Sequence, residues 1–431
     1  MQSTRVRESA RVDEAVHEGV TDDGLRVRVI RKPGYLKSFA AIVTDYGSID
    51  LSFVPPGQEA AITTPAGVAH FLEHKLFQTE EGDAFKLFAQ YGASANAYTS
   101  YTQTAYHFSS SSDFFPCLDL LLDFVAVPYF TPEAIEKERK VIAQEIRMYE
   151  DSPDAAAHLE LLKALYHTHP IREDITGTLD SIAEIDGDLL RLCHRTFYNP
   201  ENMLLVVAGD LDPQQVFARV ESSRQAGPPP AGAAQRVPAP LEPREVAKAR
   251  VEKRMAVAMP KVLIGSKERA PALGPEMIRD HRETGFVLEL VFGRSSTFFE
   301  QHCASGLIDD TFHAGYSVGR GGHSHAVIAA ETLDPDGLLR AVDEAIERAR
   351  SEGFREEDFL RLRNKAWGRF VRSFNSLQGV ALGEADSALE GWDLLGYLDL
   401  LESIDLPRLE ARLSELFAPE GRAVSIVRPL E

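Results

Sequence analysis

The chain has 431 residues, of which 44% are hydrophobic and 26% are charged, as in ordinary globular proteins. This length exceeds what one hydrophobic core usually serves, so two domains of roughly 200 residues each are expected. The formal net charge of −20 repels nucleic acid phosphates and anionic lipid surfaces, so neither is an expected partner.

The start of the chain and its cysteines bear on the cellular compartment. Residues 1–16 carry charge throughout, and no stretch of the chain approaches the roughly 18 apolar residues of a membrane span. We therefore expect a cytoplasmic protein. Cys117, Cys193 and Cys303 are widely spaced, which predicts reduced, buried thiols and no cysteine-ligated zinc site.

Strands and helices are predicted to alternate through the first half of the chain. Alternating or β-branched runs predict strands at residues 25–30, 39–44, 105–110 and 204–208. Long helical patterns separate these runs. The pattern predicts an α+β fold in which helices cover one face of a sheet.

Residues 64–77, TPAGVAHFLEHKLF, carry most of the chemistry. They predict a helix capped by Thr64, with Pro65 in its first turn. His70 and His74 then lie one turn apart on one face, a spacing that lets two imidazoles bind one zinc ion. Glu73 lies beside them and can take a proton from a metal-activated water, as a general base.

The order of these residues is His-x-x-Glu-His, the reverse of the commoner His-Glu-x-x-His zinc motif. Both orders can offer the same groups to one metal ion from a single helix. The pentapeptide alone also fits ordinary histidines on an amphipathic helix. A third metal ligand on another element would favour the zinc interpretation, because a catalytic zinc takes three protein ligands.

Candidates for that ligand lie on a second predicted helix, which begins at Thr131 and Pro132. Glu138 and Glu145 lie two turns apart on one face of this helix. Glutamates on a helix usually form a solvated face, so the helical pattern by itself leaves both interpretations open.

Residues 225–245 are rich in proline, alanine and glycine and predict a linker. It would join a zinc-binding domain of residues 1–224 to a second domain of residues 246–431. Phe130 and Phe354 precede similar helical segments 224 positions apart, which indicates an internal duplication. The fold prediction is therefore two homologous α/β sandwiches.

The duplication also bears on the glutamates. At an offset of 224 residues, Glu138 and Glu145 correspond to Leu362 and Arg369. The two carboxylates are thus specific to the half that carries the histidines.

A second group of histidines follows a glycine pair. Gly321 and Gly322 precede His323 and His325. This pattern predicts a glycine-rich hairpin with exposed histidines, and not a second metal site.

Several segments together resemble one enzyme family. They are residues 70–74 (HFLEH), 92–99 (GASANAYT), 138–145 (ERKVIAQE), 197–203 (FYNPENM) and 293–296 (GRSS). The chain is similar along nearly its whole length to the pitrilysin/insulinase family of zinc metallopeptidases, the inverted zincins. Within that family it most resembles short bacterial two-domain subunits related to mitochondrial processing peptidase.

The resemblance assigns roles to residues that spacing left open. It implies that Glu145 is the third ligand of one zinc ion per chain, beside His70 and His74, and that Glu138 supports the catalytic site. It also implies that Asn96 and Ala97 lie on an edge strand to which an extended peptide substrate adds by backbone hydrogen bonds. The implied activity is that of a zinc metalloendopeptidase.

One expected substrate clamp is missing. Second domains in this family often carry an arginine and a tyrosine that bind substrate, but residues 299–309 (FEQHCASGLID) contain neither. We therefore expect a heterodimer with a related subunit that lacks the zinc motif, with a homodimer as the fallback. The alternatives to an enzyme are a non-catalytic scaffold subunit and a zinc-binding protein without turnover.

Overall fold

The computed structural model describes residues 1, 3–223, 234–269 and 273–430. Its strands are β1 (Ser3–Ser9), β2 (Glu14–Val20), β3 (Arg26–Arg31), β4 (Ser38–Thr44), β5 (Ser52–Val54), β6 (Ile62–Thr63), β7 (Gln78–Thr79), β8 (Gly82–Asp83), β9 (Ser94–Thr99), β10 (Thr104–Ser110), β11 (Met203–Gly209), β12 (Gln235–Arg236), β13 (Arg250–Met255), β14 (Lys261–Lys267), β15 (His313–Gly319), β16 (His323–Glu331) and β17 (Arg422–Pro429). The four strands predicted in the first half are confirmed as β3, β4, β10 and β11.

Helices account for much of the remaining described chain. They are α1 (Val68–Leu76), α2 (Ala84–Gln90), α3 (Phe114–Ala126), α4 (Pro132–Glu150), α5 (Pro153–Leu165), α6 (Leu179–Ala183), α7 (Gly187–Phe197), α8 (Pro213–Ser223), α9 (Pro275–Phe292), α10 (Thr297–Ala304), α11 (Pro335–Glu352), α12 (Glu356–Ser373), α13 (Leu377–Glu390), α14 (Tyr397–Glu402) and α15 (Leu406–Leu416). Within the described ranges, no helix is long and apolar enough to cross a bilayer.

The two large sheets repeat one topology. The seven-stranded sheet has the order β1-β2-β3-β11-β4-β10-β9, and the five-stranded sheet has the order β13-β17-β14-β16-β15. In both, one parallel pair (β3 with β11, β13 with β17) is followed by antiparallel pairs. Helices α4 and α12 begin at Pro132 and Glu356, 224 positions apart. The α+β class and the internal duplication are confirmed.

The central strand β11 is buried along its whole length. Leu205 and Val207 pack into the core of the first half, whereas Leu204 and Val206 join a core that extends into the second half. This happens because α13 of the second half packs on β11 and β4, while α5 of the first half packs on β14 and β17. Each half therefore covers the far face of the other half's sheet, and a strand covered on both faces is apolar throughout.

Part of the predicted linker can be located. Residues 225–233 lie outside the described residues, but β12 pairs with β5 of the first half. Glu242 accepts hydrogen bonds from the backbone N–H groups of Thr168 and His169, both at 2.7 Å. The part of the linker from residue 234 onward thus contacts the first half.

The glycine-rich hairpin between β15 and β16 is confirmed, but the exposure predicted for its histidines is wrong. His323 and His325 are buried, and Nδ1 of His325 lies 2.9 Å from the hydroxyl of Tyr166. The hairpin tip inserts between the halves, where Arg320 contacts Asp50 at 2.9 Å. Sequence periodicity could not reveal this burial because the covering residues come from the other half.

The thiol prediction is confirmed for two of the three cysteines. Cys117 and Cys193 are free and buried in the first half. Cys303 is also free, but it is exposed, so the prediction of a buried thiol is wrong there. It lies near the end of α10, where only Phe298 of that helix is buried.

Candidate metal centre

Helix α1 presents the histidine motif, but it begins later than predicted. Its first residue is Val68, and its N-cap is Gly67 at φ 91°, without a side-chain hydrogen bond. Thr64 does not cap the helix, since its hydroxyl donates to the carbonyl of Leu51 at 3.2 Å. A Cβ on Gly67 would meet the carbonyl oxygen of Thr176 at 2.6 Å, so this close approach requires glycine.

The apolar side of α1 anchors it in the first half. Val68, Phe71, Leu72 and Leu76 are buried in the core, as the sequence pattern predicts. The opposite side of the helix faces α4, and there the rings of His70 and His74 lie with their centroids 4.5 Å apart. Rigid core packing therefore fixes the two imidazoles next to each other.

Glu145 on α4 faces both histidines. Its Oε2 lies 3.7 Å from Nε2 of His70 and 3.6 Å from Nε2 of His74. Ligands of a tetrahedral zinc ion with bonds of about 2.0–2.2 Å lie roughly 3.3–3.6 Å from one another. The atoms are of types that bind zinc, and the two nitrogen–oxygen distances are close to this spacing.

Glu138, one of the two carboxylates predicted on α4, contacts the ring nitrogen of His74 that does not face Glu145. Nδ1 of His74 donates to Oε1 of Glu138 at 3.0 Å. In the neutral ring, a proton on Nδ1 leaves the lone pair on Nε2, which lies 3.6 Å from Oε2 of Glu145. Carboxylates in this position hold a ligating imidazole in one tautomer and orientation.

Burial determines the protonation state of His70. Removal from water lowers the pKa of His70 to about 3, and the neighbouring His74 adds to this effect. Its Nδ1 is buried with no hydrogen-bond partner in the described part of the chain. His70 is therefore neutral at pH 7, as a metal ligand must be.

Glu73 completes the cluster. Ligand-type atoms of His70, Glu73 and His74 all lie within 4.8 Å of one another. Burial raises the pKa of Glu73 to about 7, and Glu145 contributes in the same direction, whereas His74 opposes the shift. A carboxyl group tuned near neutrality suits acid–base work, and a nearby cation would favour its ionised form.

The predicted substrate strand, β9, lies at the free edge of the seven-stranded sheet and packs against α1. In its register Asn96 faces His107 and Ala97 faces Tyr106 of β10. The backbone N–H of Ala97 donates to Oδ1 of Asn96 at 2.9 Å. An added strand could therefore accept a hydrogen bond from the Ala97 N–H if it displaced the side-chain amide of Asn96.

A cavity of about 910 Å³ opens beside these groups and includes all seven predicted site residues in its lining. Other lining residues were not predicted. They include Tyr101 from the turn after β9, Tyr149 from α4, His158 from α5 and Asp174 from the loop that follows α5. No spacing or motif marks these residues, because only the folded arrangement brings their separate segments to the cavity.

Replacing Glu138 by glutamine should weaken zinc binding roughly 10- to 100-fold. The amide oxygen can still accept the His74 hydrogen bond, but it carries no charge to make the imidazole a better donor to the metal. Competition with a chelator of known affinity measures the change. Glu136→Gln, on the same helix but paired with Arg139, is the matched control. Equal zinc affinity in the wild type and both variants would show that Glu138 does not contribute to zinc binding.

A histidine pair on one helix, facing carboxylates on a second helix within a duplicated α+β frame, is the arrangement of an inverted zincin. Family comparison agrees with this class. The model of the insulinase family, peptidase family M16, matches residues 53–179, and that of the M16 inactive domain matches residues 184–366. The chain belongs to the pitrilysin/insulinase family.

Bacterial relatives share about a third of the aligned residues. YmfH of Bacillus subtilis, named an uncharacterised zinc protease, is 37% identical over 423 residues, which cover 98% of each chain. YmxG of the same organism, named in the same way, is 35% identical over 150 residues, covering 34% of this chain and 37% of its own. These names associate the family with zinc and with proteolysis.

Solved structures show the same fold. An M16-like peptidase from Alicyclobacillus acidocaldarius is 33% identical and superposes with a TM-score of 0.91, covering 100% of this chain and 99% of that one. Pitrilysin is 17% identical and superposes with a TM-score of 0.76, covering 99% of this chain but 46% of its own. The second likeness concerns the fold alone.

Proposed function

We propose that this protein is a zinc metalloendopeptidase that hydrolyses extended peptides or unfolded segments. The observation that carries the proposal is the convergence of His70, His74 and Glu145, with 3.6 and 3.7 Å between the carboxylate oxygen and the two imidazole nitrogens. These three side chains would hold one zinc ion per chain, and Glu73 stands beside them. Relatives named as zinc proteases support the same activity.

Each residue of the centre has a separate task in this proposal. When bound, zinc supplies Lewis acidity, which polarises a carbonyl group and acidifies water. Glu73 accepts the proton of the attacking water and delivers it to the leaving amine. Glu138 keeps His74 in the tautomer whose Nε2 faces the metal position. No residue of the chain forms a covalent bond to the substrate.

The edge strand β9 would position the substrate. An extended peptide that adds to β9 at Asn96 and Ala97 makes backbone hydrogen bonds, which depend little on side-chain identity. Its chain would then run through the 910 Å³ cavity, past Glu73. Positioning of this kind lowers the barrier by pre-ordering the reacting groups.

Ala97→Pro tests this strand addition. Proline removes the Ala97 N–H, and edge strands tolerate proline where the N–H does not serve the ladder. We expect kcat/KM for a peptide to fall roughly 10-fold, the effect of about one hydrogen bond. Zinc content should not change. Ala97→Ser, which keeps the N–H, is the control, and unchanged kcat/KM in Ala97→Pro would exclude this contact.

We also propose that the chain works with a partner. Residues 299–309 supply neither the arginine nor the tyrosine of the family's substrate clamp, and they cover most of α10 and the segment after it. A related subunit that lacks the zinc motif but carries the clamp would complete the site in a heterodimer. A homodimer is the fallback for the isolated chain.

Mixing tests the partner directly. Peptide turnover of the purified chain should rise at least about 10-fold on addition of a motif-less relative that carries the clamp, because substrate positioning contributes several kcal/mol to catalysis. A relative whose clamp arginine and tyrosine are replaced by alanine is the control. Full turnover by the chain alone, without a gain from the relative, would show that the clamp is dispensable.

We further propose that the protein acts in the cytoplasm, where its three free thiols would remain reduced.

The competing function is that of a zinc-binding scaffold, and the missing clamp favours it. Mass spectrometry of an unstructured peptide blocked at both ends distinguishes them. An internal cut supports an endopeptidase, whereas a zinc-loaded protein that leaves the peptide intact, with and without a partner, indicates a scaffold.

A further inference from the structure

The second half has a cavity at the place that corresponds to the metal centre. In the first half the centre lies between α1 and α4. In the second half, α9 and α12 occupy the equivalent positions in the repeated topology and also pack against each other. A cavity of about 340 Å³ opens there, lined by residues of these helices together with Tyr397 of α14. This volume is within the lower range of small-ligand pockets.

The charge of this cavity is opposite to that of the metal centre. The first-half groove presents Glu73, Glu138 and Glu145. The second-half cavity is lined instead by Arg282 from α9 and Arg369 from α12. Arg369 lies 224 positions after Glu145, so an arginine stands where the proposed third metal ligand stands in the other half.

Neither arginine is neutralised by an ion pair within the described ranges. Nε of Arg282 is buried without a hydrogen-bond partner, and its guanidinium lies over the ring of Tyr397 at 4.9 Å. The cavity's one carboxylate, Glu289, already pairs with Lys365. Glu390 acts on Arg282 only from beyond ion-pair distance, and it accepts the indole N–H of Trp392 at 2.9 Å. The cavity therefore carries two arginines without an ion-pair partner among the described residues, in a chain of net charge −20.

We propose that this cavity binds an oxyanion, either the carboxylate of a peptide or a phosphate. Two guanidinium groups offer several N–H donors in the planar geometry that both anions accept. The flanking rings of Phe286, Phe370 and Tyr397 give the cavity an apolar wall, which suits the atoms next to a peptide carboxylate. The duplicated fold thus carries a cation site in one half and an anion site in the other.

Isothermal titration calorimetry of the zinc-loaded protein at constant ionic strength tests the proposal. The probes are inorganic phosphate, N-acetylated dialanine and the C-terminal amide of the same dipeptide. We expect phosphate or the free-acid dipeptide to bind and the amide to bind at least 10-fold more weakly than the acid. The comparison of phosphate with the acid identifies the source of the anion.

Variants locate the site. Arg282→Gln and Arg369→Gln should each weaken anion binding at least 10-fold. Arg372→Gln is the matched control, because Arg372 is an exposed arginine of α12 outside the cavity lining, and it should change binding less than 2-fold. Arg369 is exposed, so its replacement is informative even if Arg282→Gln fails to fold.

The metal centre can itself bind anions, but its contribution is the same in all these proteins and so cancels in the comparison. Equal anion affinity in the wild type and both cavity variants would overturn the proposal. An equal loss in Arg372→Gln would also overturn it, since that result indicates diffuse surface charge. Zinc content, measured on the same samples, keeps this outcome separate from any failure of the proposed peptidase activity.

Discussion

Glu73→Gln should retain zinc and lose nearly all peptide hydrolysis, with kcat reduced roughly 10²- to 10⁴-fold. An amide has almost the shape of a carboxylate, so the buried packing of α1 is preserved. It cannot accept a proton from water, however, and cannot return one to the leaving amine. Because Glu73 contributes no metal bond in this account, the affinity for zinc should change little.

Elemental analysis and peptide turnover, measured on the same preparation, test this separation of binding from chemistry. Glu133→Gln, an exposed glutamate in the first turn of α4, controls for the loss of one carboxylate. It should keep wild-type zinc content and turnover. If Glu73→Gln turns over peptide at the wild-type rate, Glu73 has no part in proton transfer.

His70→Ala, His74→Ala and Glu145→Ala should each weaken zinc binding by more than about 100-fold, beyond the effect expected for a supporting residue. Each substitution removes one of the three proposed ligands, and two remaining ligands do not make a catalytic zinc site. Hydrolysis should fall with the metal. Chelator competition measures affinity, and circular dichroism confirms that the buried replacement at His70 still folds.

Controls of the same residue types lie elsewhere on the surface. His313→Ala and Glu150→Ala remove an exposed imidazole and an exposed carboxylate outside the cavity and should leave zinc affinity unchanged. If all three ligand variants bind zinc as tightly as the wild type, the metal is held elsewhere. If only Glu145→Ala does so, the third ligand is another group.

Local sequence patterns predicted much of the fold. The apolar runs at β3, β4, β10 and β11 identified four strands of the first sheet within about a residue at each end. The threonine and proline at the start of α4 marked its first turn, because Thr131 accepts the N–H of Ala134 at 3.2 Å. These features depend on neighbours in the chain, so the sequence contains them.

Features that depend on distant contacts were not predictable in this way. The start of α1 is set by Gly67 against the carbonyl of Thr176, more than 100 residues away. The burial of His323 results from insertion of a hairpin between the halves. The exchange of α5 and α13 between the sheets likewise has no periodic signature, since each is an ordinary helix in its own segment.

Some residues of the site were predictable from local spacing and others were not. His70, Glu73 and His74 share one helix, so their spacing alone places them together. Glu145 is one of several glutamates on α4, and helical spacing could not distinguish it from Glu138. The family resemblance made that choice, and in the structure Oε2 of Glu145 lies 3.7 and 3.6 Å from Nε2 of His70 and His74.

The most direct test of a zinc-dependent peptidase is a metal titration of activity. Zinc is removed from the purified protein, alone and together with any partner that co-purifies, and turnover of an end-blocked peptide is measured as zinc is returned in sub-stoichiometric steps. We expect no turnover without metal and a linear rise that ends at one equivalent of zinc per chain. Turnover that persists in the metal-free protein, or that never appears although one zinc is bound, would contradict it.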